Sequence, residues 1–548
     1  MLFSAAWIAG GDPAASPVSF VDIHHLAARA SSGSGLVLWR LVGVRGPVSA
    51  WRYWPALCVL TVVCVAALLA VTQHAPAYAS RLRSRVLRTP ITPPHATTWA
   101  RRQQWPAPRG RHGSRCTFVL GSRGGSRIHV QPESSVLVVG PTRSGKTSAL
   151  VAPNLLRWSG PAIVTSTKGE LVDVTAGHRQ SIGPVYVYDP TGEMAARCSS
   201  LHWSPLSGCE TLDHAWRVAA WLCAALQQQG RGDNDWAHWA ESAKLLVAPL
   251  FHAAALQGYT VNDVCAWVQA FDLGTAAALL EEAAAQGDET HADDANRALS
   301  ILTAVDQRPE KERGTVFSTV MRLFSAFNER AVAESAAWSR FDADEFLRRS
   351  GTLYLCTPRQ SPERVSALFA GLLMTVVTAA YHAADATRRG RLDPPLGLFL
   401  DELANVVPIE HLPALASQGA GRGVVLMSIV QDLSQLRARY GVDRANSILN
   451  NHVCKVVLPG IGDPETADVL SRLMGQREYT DVQVTRGDGR TTQSYARRRE
   501  PLASADALRR LHPGSAVVID RGAAPMLVQL QPWFSDASMR RLAALPHL

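Results

Sequence analysis

The run Ser135–Val139 (SVLVV), the octapeptide Gly140–Thr147 (GPTRSGKT) and the helix-compatible stretch Ser148–Leu156 constrain this chain more than any other feature. An apolar β-type run that breaks at a glycine-rich turn and re-emerges as a helix is the strand, loop and helix unit of a parallel α/β sheet. Within that unit, the pattern G-x-x-x-x-G-K-[ST] is built to hold phosphate. Gly140 and Gly145 let the backbone turn successive N–H groups toward an anion, Lys146 offers a point charge to the terminal phosphates, and Thr147 offers a hydroxyl to a magnesium ion. The helix N-terminus adds its dipole. The nucleotide cradle is therefore predicted to be Gly140, Pro141, Thr142, Arg143, Ser144, Gly145, Lys146, Thr147 and Ser148, with ATP and Mg2+ as ligands. The string GSRGGSR at 121–127 lacks that setting and reads as a loop.

A phosphate loop needs an acidic element on a neighbouring strand. Leu396–Leu400 followed by Asp401 and Glu402 (LGLFLDE) supplies one, because the apolar run reads as a buried parallel strand. Asp401 is placed to hold magnesium through water and Glu402 to polarise the attacking water. The competing reading, a helix cap after a core strand, requires no nucleotide. The two elements lie about 250 residues apart, far more than one crossover requires. Residues 213–348 fill the gap with Ala/Leu-rich amphipathic stretches, separated by polar breaks such as Gly287–Asp294, and read as an all-helical insert. Strand candidates recur on both sides of it: Ala162–Ser166, Val185–Tyr188, Thr352–Cys356, Val424–Ile429, Val453–Leu458 and Ala516–Asp520. The alternation predicts an α/β fold with a mostly parallel sheet.

The net charge of +9 invites a nucleic-acid reading, but its distribution does not support one for the whole chain. Residues 1–130 carry fifteen Arg against Asp12 and Asp22, a surplus of 13, which leaves the other 418 residues at −4. The basic excess flanks Trp54–Thr72, an uncharged apolar run long enough for a transmembrane helix. Arg81–Arg127 holds eleven Arg and no acid, so the positive-inside rule puts the C-terminal body in the cytoplasm. Leu36–Val44 is apolar too, but short and broken by Arg40, which leaves a second pass open. The nine cysteines show no metal-ligand spacing and read as reduced structural thiols. Gly475–Arg499 reads as a β-hairpin whose arginines and tyrosines fit either a grip on nucleic acid or a charged, aggregation-resistant edge.

The chain resembles the TraG/TraD-type coupling proteins of conjugation and type IV secretion. The resemblance runs from about 131 to 534 through VLVVGPTRSGKT, STKGEL at 166–171, VYVYDP at 185–190, WSPL at 203–206, TLYLCTP at 352–358, LFLDELANV at 398–406, SIVQDLSQLRARYG at 428–441, the asparagines 450–451 and PWF at 532–534. It implies a RecA-like P-loop NTPase assembled as a homo-hexameric ring, with nucleotide between subunits. In such a ring Gln431 matches the polar sensor of the γ-phosphate, and Arg422 is similar to the arginine that reaches into the neighbouring subunit's site; a solvated loop residue is the alternative for Arg422. The implied partners are single-stranded DNA with its relaxase, the secretion channel and the inner membrane. Two other readings stay open, a coupling protein for secreted protein effectors and an ATP-dependent assembly scaffold without turnover. The resulting organisation is an N-terminal segment 1–53, a transmembrane helix 54–72, a Pro/Arg-rich linker 73–130, a RecA-like domain in two parts at 131–212 and 349–534 around the insert, and a tail 535–548. The chain departs from the family pattern in showing one clear membrane run rather than two, and in lacking a long acidic tail.

Overall fold

The computed structural model describes Trp99, Trp105 and residues 116–546, apart from short stretches at 132–133, 167–168, 196–197, 228–233, 357–363, 408, 410–411 and 488–489. The expected membrane run 54–72, the segment before it, most of the linker and Lys168 lie outside the described residues.

Among the described residues thirteen strands are formed: β1 (Val119–Arg123), β2 (Ser126–His129), β3 (Val136–Val139), β4 (Ala162–Ser166), β5 (Val185–Tyr188), β6 (Thr352–Cys356), β7 (Leu396–Leu400), β8 (Val424–Val430), β9 (Cys454–Val457), β10 (Gln476–Gly487), β11 (Arg490–Pro501), β12 (Ser515–Asp520) and β13 (Met526–Gln529). Eleven of them make one sheet in the order β2-β1-β13-β12-β9-β3-β8-β7-β4-β6-β5. From β9 to β5 every pairing is parallel, and from β12 to β2 every pairing is antiparallel. The parallel strands are short and mainly apolar because both of their faces are largely covered. Leu137, Ile163, Leu353 and Leu398 enter one core, while their strand neighbours Val138, Val164, Tyr354 and Phe399 enter the other. The first of these cores continues without interruption into the helical insert through Val218, Phe251 and Val264.

Among the described residues between β5 and β6 there are helices and no strand. The longest helix of the body after the insert, Ser366–Asp385, is apolar enough to pass for a membrane span, yet Leu368, Leu372, Val376 and Ala380 are buried in the core it shares with helix Leu212–Gln227. Its hydropathy reflects burial in protein.

Three local expectations are corrected. The glycine-rich string 121–127 is the turn and inner half of the β1–β2 hairpin, with Gly124 and Gly125 at positive φ, rather than a loop. The presumed break at 287–294 is the first turn of helix Glu289–Asp306: Asp288 caps it by accepting from the His291 backbone N–H, and the acids that resemble a loop suit a helix N-terminus. Finally, the strand bearing Asp401 is not the neighbour of the phosphate-loop strand, because β8 lies between β3 and β7.

The expected hairpin at 475–499 is present and longer than the sequence pattern indicates. β10 and β11 pair from Gln476↔Pro501 out to Gly487↔Arg490 as a separate two-stranded ribbon.

Candidate functional site

The C-terminal edge of β3, β8 and β7 gathers the predicted nucleotide residues. Gly140 sits where β3 ends; its N–H donates to Val430 O of β8 at 3.1 Å, and a Cβ there would lie 2.6 Å from Leu458 Cβ. Only glycine fits such an approach. The loop then turns tightly, with Ser144 Oγ donating to Pro141 O at 2.8 Å, and enters its helix through Gly145 at φ 91°. Arg143 also has positive φ, at 63°, and with Thr142 it points into solvent. The first helical turns, Lys146–Val151, are wound as a π-helix in which the Ala152 N–H donates to Thr147 O. Pro153 explains the local widening: it has no N–H to give to Ala149 O.

Two contacts define the chemistry. Lys146 is 8 % exposed and its Nζ donates to Gly140 O at 2.8 Å, so the cation is folded over the loop it serves. Thr147 Oγ1 donates to Asp401 Oδ2 at 2.9 Å, across the end of β8. The carboxylate thus reaches the loop hydroxyl although its strand is one place removed. Glu402 follows in the left-handed region at φ 52° and ψ 43°, a conformation costing a non-glycine residue on the order of 1 kcal/mol, and its N–H donates to Asp401 Oδ1 at 3.1 Å. Gln431 leaves the end of β8 beside Gly140, its backbone N–H held by Gln435 Oε1 at 3.1 Å. Below it, His452 Nε2 meets Ser428 Oγ at 2.8 Å and Nδ1 meets Ile448 O at 2.8 Å. Burial pulls the pKa of this imidazole down to about 4, so it stays neutral and ties β8 to the end of helix Val442–Asn451.

Arg422 is not brought to this edge. It precedes β8, and the seven residues of that strand put roughly 23 Å between the two ends. Its guanidinium stacks over Tyr381 at 5.0 Å and lies 3.6 Å from Asp385 Oδ2.

Sequence reasoning left two residues without a role that the geometry now describes. Asp189, 3 % exposed at the end of β5, accepts from Thr191 N, Thr191 Oγ1, Gly192 N and Met194 N at 2.6–3.2 Å. It pins the turn through which the chain leaves for the insert. Asp189→Ala strands those donors, and we expect a loss of about 2–3 kcal/mol in a denaturant titration, partly recovered by Asn. Thr165, at the end of β4, donates from Oγ1 to the backbone carbonyl of Asp401 at 2.7 Å. The aspartate within a proline turn was a visible signal for the first; a hydroxyl in a buried strand is too common to single out the second.

The family described as "Type IV secretory system Conjugative DNA transfer" matches residues 97–546. This chain belongs to that family. Among its relatives, the conjugal transfer protein TraG of Escherichia coli is 29 % identical over 462 residues, covering 76 % of this chain and 70 % of TraG. The fold is shared with the plasmid coupling protein TrwB. TrwB in complex with the non-hydrolysable ATP analogue ADPNP aligns at a TM-score of 0.57 and 18 % identity, over 77 % of this chain and 90 % of TrwB. TrwB with ADP and Mg2+ aligns at 0.54 and 18 % identity, over 74 % of this chain and 87 % of TrwB. The parallel half of the sheet, with its loop on β3 and acidic pair on β7, is accordingly the RecA-like core of a coupling protein.

Proposed function

We propose that this coupling-family chain is a membrane-anchored ATPase that feeds single-stranded DNA with its relaxase to a type IV secretion channel, hydrolysing ATP between the subunits of a homo-hexameric ring. The observation that carries the reading is the 2.9 Å bond from Thr147 Oγ1 to Asp401 Oδ2. A hydroxyl and a carboxylate converging beside a phosphate loop form the hard-oxygen donor set that suits Mg2+. The ion supplies charge that offsets the phosphates when bound. Lys146 exchanges Gly140 O for the β- and γ-phosphates. The loop N–H groups hold the rest of the triphosphate. Glu402 orients the attacking water and accepts its proton, Gln431 contacts the γ-phosphate, and Arg422 serves a neighbouring subunit.

The nucleotide and metal found with TrwB support this assignment by fold likeness, and the family's description supports DNA as cargo. The apolar run 54–72 with its arginine-rich flank supports an anchor in the inner membrane and a cytoplasmic body. The helical insert is assigned to cargo recognition.

The test is ATP turnover by the full chain in detergent, with and without single-stranded DNA. Turnover rising with DNA length is the expected result. A rate that no DNA raises at any protein concentration overturns the DNA motor and leaves secreted proteins as the cargo.

A further inference from the structure

Asp401 and Glu402 share one peptide bond, and the orientation of that peptide decides where both carboxylates sit. Asp401 is held on its side-chain end by Thr147. Glu402 starts the short helix Leu403–Val406 from a left-handed backbone that a β-strand does not set up by itself. Something must hold the Asp401 carbonyl against relaxation of that turn.

Thr165 does so. It is fully buried at the end of β4, the strand beside β7, and its hydroxyl donates to Asp401 O at 2.7 Å. β4 and β7 are in parallel register only as far as Val164↔Phe399. Beyond that pair the ladder ends, and the threonine side chain continues the cross-strand bonding by one more step. We infer that Thr165 is a positioning residue of the ATPase site: it fixes the Asp401–Glu402 peptide so that the first carboxylate meets the magnesium side of the nucleotide and the second meets the water side. The inference rests on the ATPase reading and refines it, because Thr165 acts through the Asp401 carbonyl it donates to.

Thr165→Val keeps the β-branched shape and removes the hydroxyl; Thr165→Ser keeps the hydroxyl and removes the methyl. Two quantities are measured on the full chain: kcat for ATP, and the magnesium concentration giving half-maximal tightening of a fluorescent non-hydrolysable ATP analogue. In Thr165→Val we expect kcat to fall about tenfold and the magnesium requirement to rise by a similar factor, as for other residues that orient a ligand from behind. Analogue affinity without magnesium stays unchanged, and Thr165→Ser stays within about twofold of the parent in all three. A residue that only supports the fold would lower melting temperature without separating magnesium-dependent from magnesium-free binding. If the valine variant does not fold, Ser against Ala makes the same comparison, since both lose the methyl and differ in the hydroxyl. Parent-like kcat and magnesium requirement in the hydroxyl-free variant, or equal damage in both members of a pair, overturns the inference. A parent chain that binds but never hydrolyses overturns the ATPase reading instead, and the magnesium requirement still decides the role of Thr165.

Discussion

Glu402→Gln is expected to lower ATP turnover by about 10²- to 10⁴-fold, the range for losing a general base, if Glu402 has the role proposed for it. Nucleotide affinity stays within about twofold, since no ground-state contact is removed. The substitution is unusually clean at this position. Gln has the same length as Glu, retains the N–H that donates to Asp401 Oδ1 at 3.1 Å, and meets the same backbone at φ 52°. Only the negative charge of the carboxylate is lost. Phosphate release and titration with a fluorescent nucleotide separate the two effects. The same variant decides the role of turnover in the cell: conjugative transfer disappears if hydrolysis drives it. Transfer at the parent level would mean that binding alone suffices, and the chain would then be an assembly scaffold.

Arg422→Ala is expected to reduce turnover by about 10³- to 10⁵-fold if its guanidinium completes a neighbour's site. Within its own subunit Arg422 lies at the wrong end of β8, beside Tyr381 and Asp385. Its side chain is 46 % exposed, and an ion pair of 3.6 Å at that exposure adds little to stability, so the arginine can leave it at small cost. The decisive measurement is a mixture. Arg422→Ala subunits keep an intact acidic pair, and Glu402→Gln subunits keep an intact arginine. Combined, they regain activity wherever a good arginine faces a good acidic pair, and turnover rises more than linearly with protein concentration. Full activity of Arg422→Ala alone would identify the residue as an ordinary loop arginine stacked on a tyrosine.

The parts of this fold legible in sequence share one physical property: burial on both faces. β3, β4, β6, β7 and β8 are mainly apolar, fully buried runs, and the sequence places their limits to within about a residue because glycine, proline or charged residues stand close to their ends. β1 is not legible in the sequence because Ser122, Arg123, Ser126 and Arg127 lie toward solvent at the far end of the sheet, so glycines that form a hairpin turn look like a loop. β13 went unread for a related reason, being a four-residue strand that pairs only with antiparallel neighbours at that same end. The acidic start of helix Glu289–Asp306 was taken for a break because acids suit loops and first helical turns alike. Within the site, the phosphate loop and the acidic pair announce themselves by residue type and spacing. The order of strands does not, since nothing local tells β7 that β8 will enter between it and β3.

β5 and β6 are adjacent and parallel, and the 163 residues between Tyr188 and Thr352 form their crossover. A parallel crossover needs only about a dozen residues. Nearly the whole insert is therefore topologically optional: the sheet would keep its strand order with a single helix in its place. The insert is an elaboration of that crossover, tied to the sheet by the core they share. If, as proposed, the insert reads the cargo and the sheet holds the nucleotide, the two tasks lie on parts of the chain whose strand order does not depend on each other.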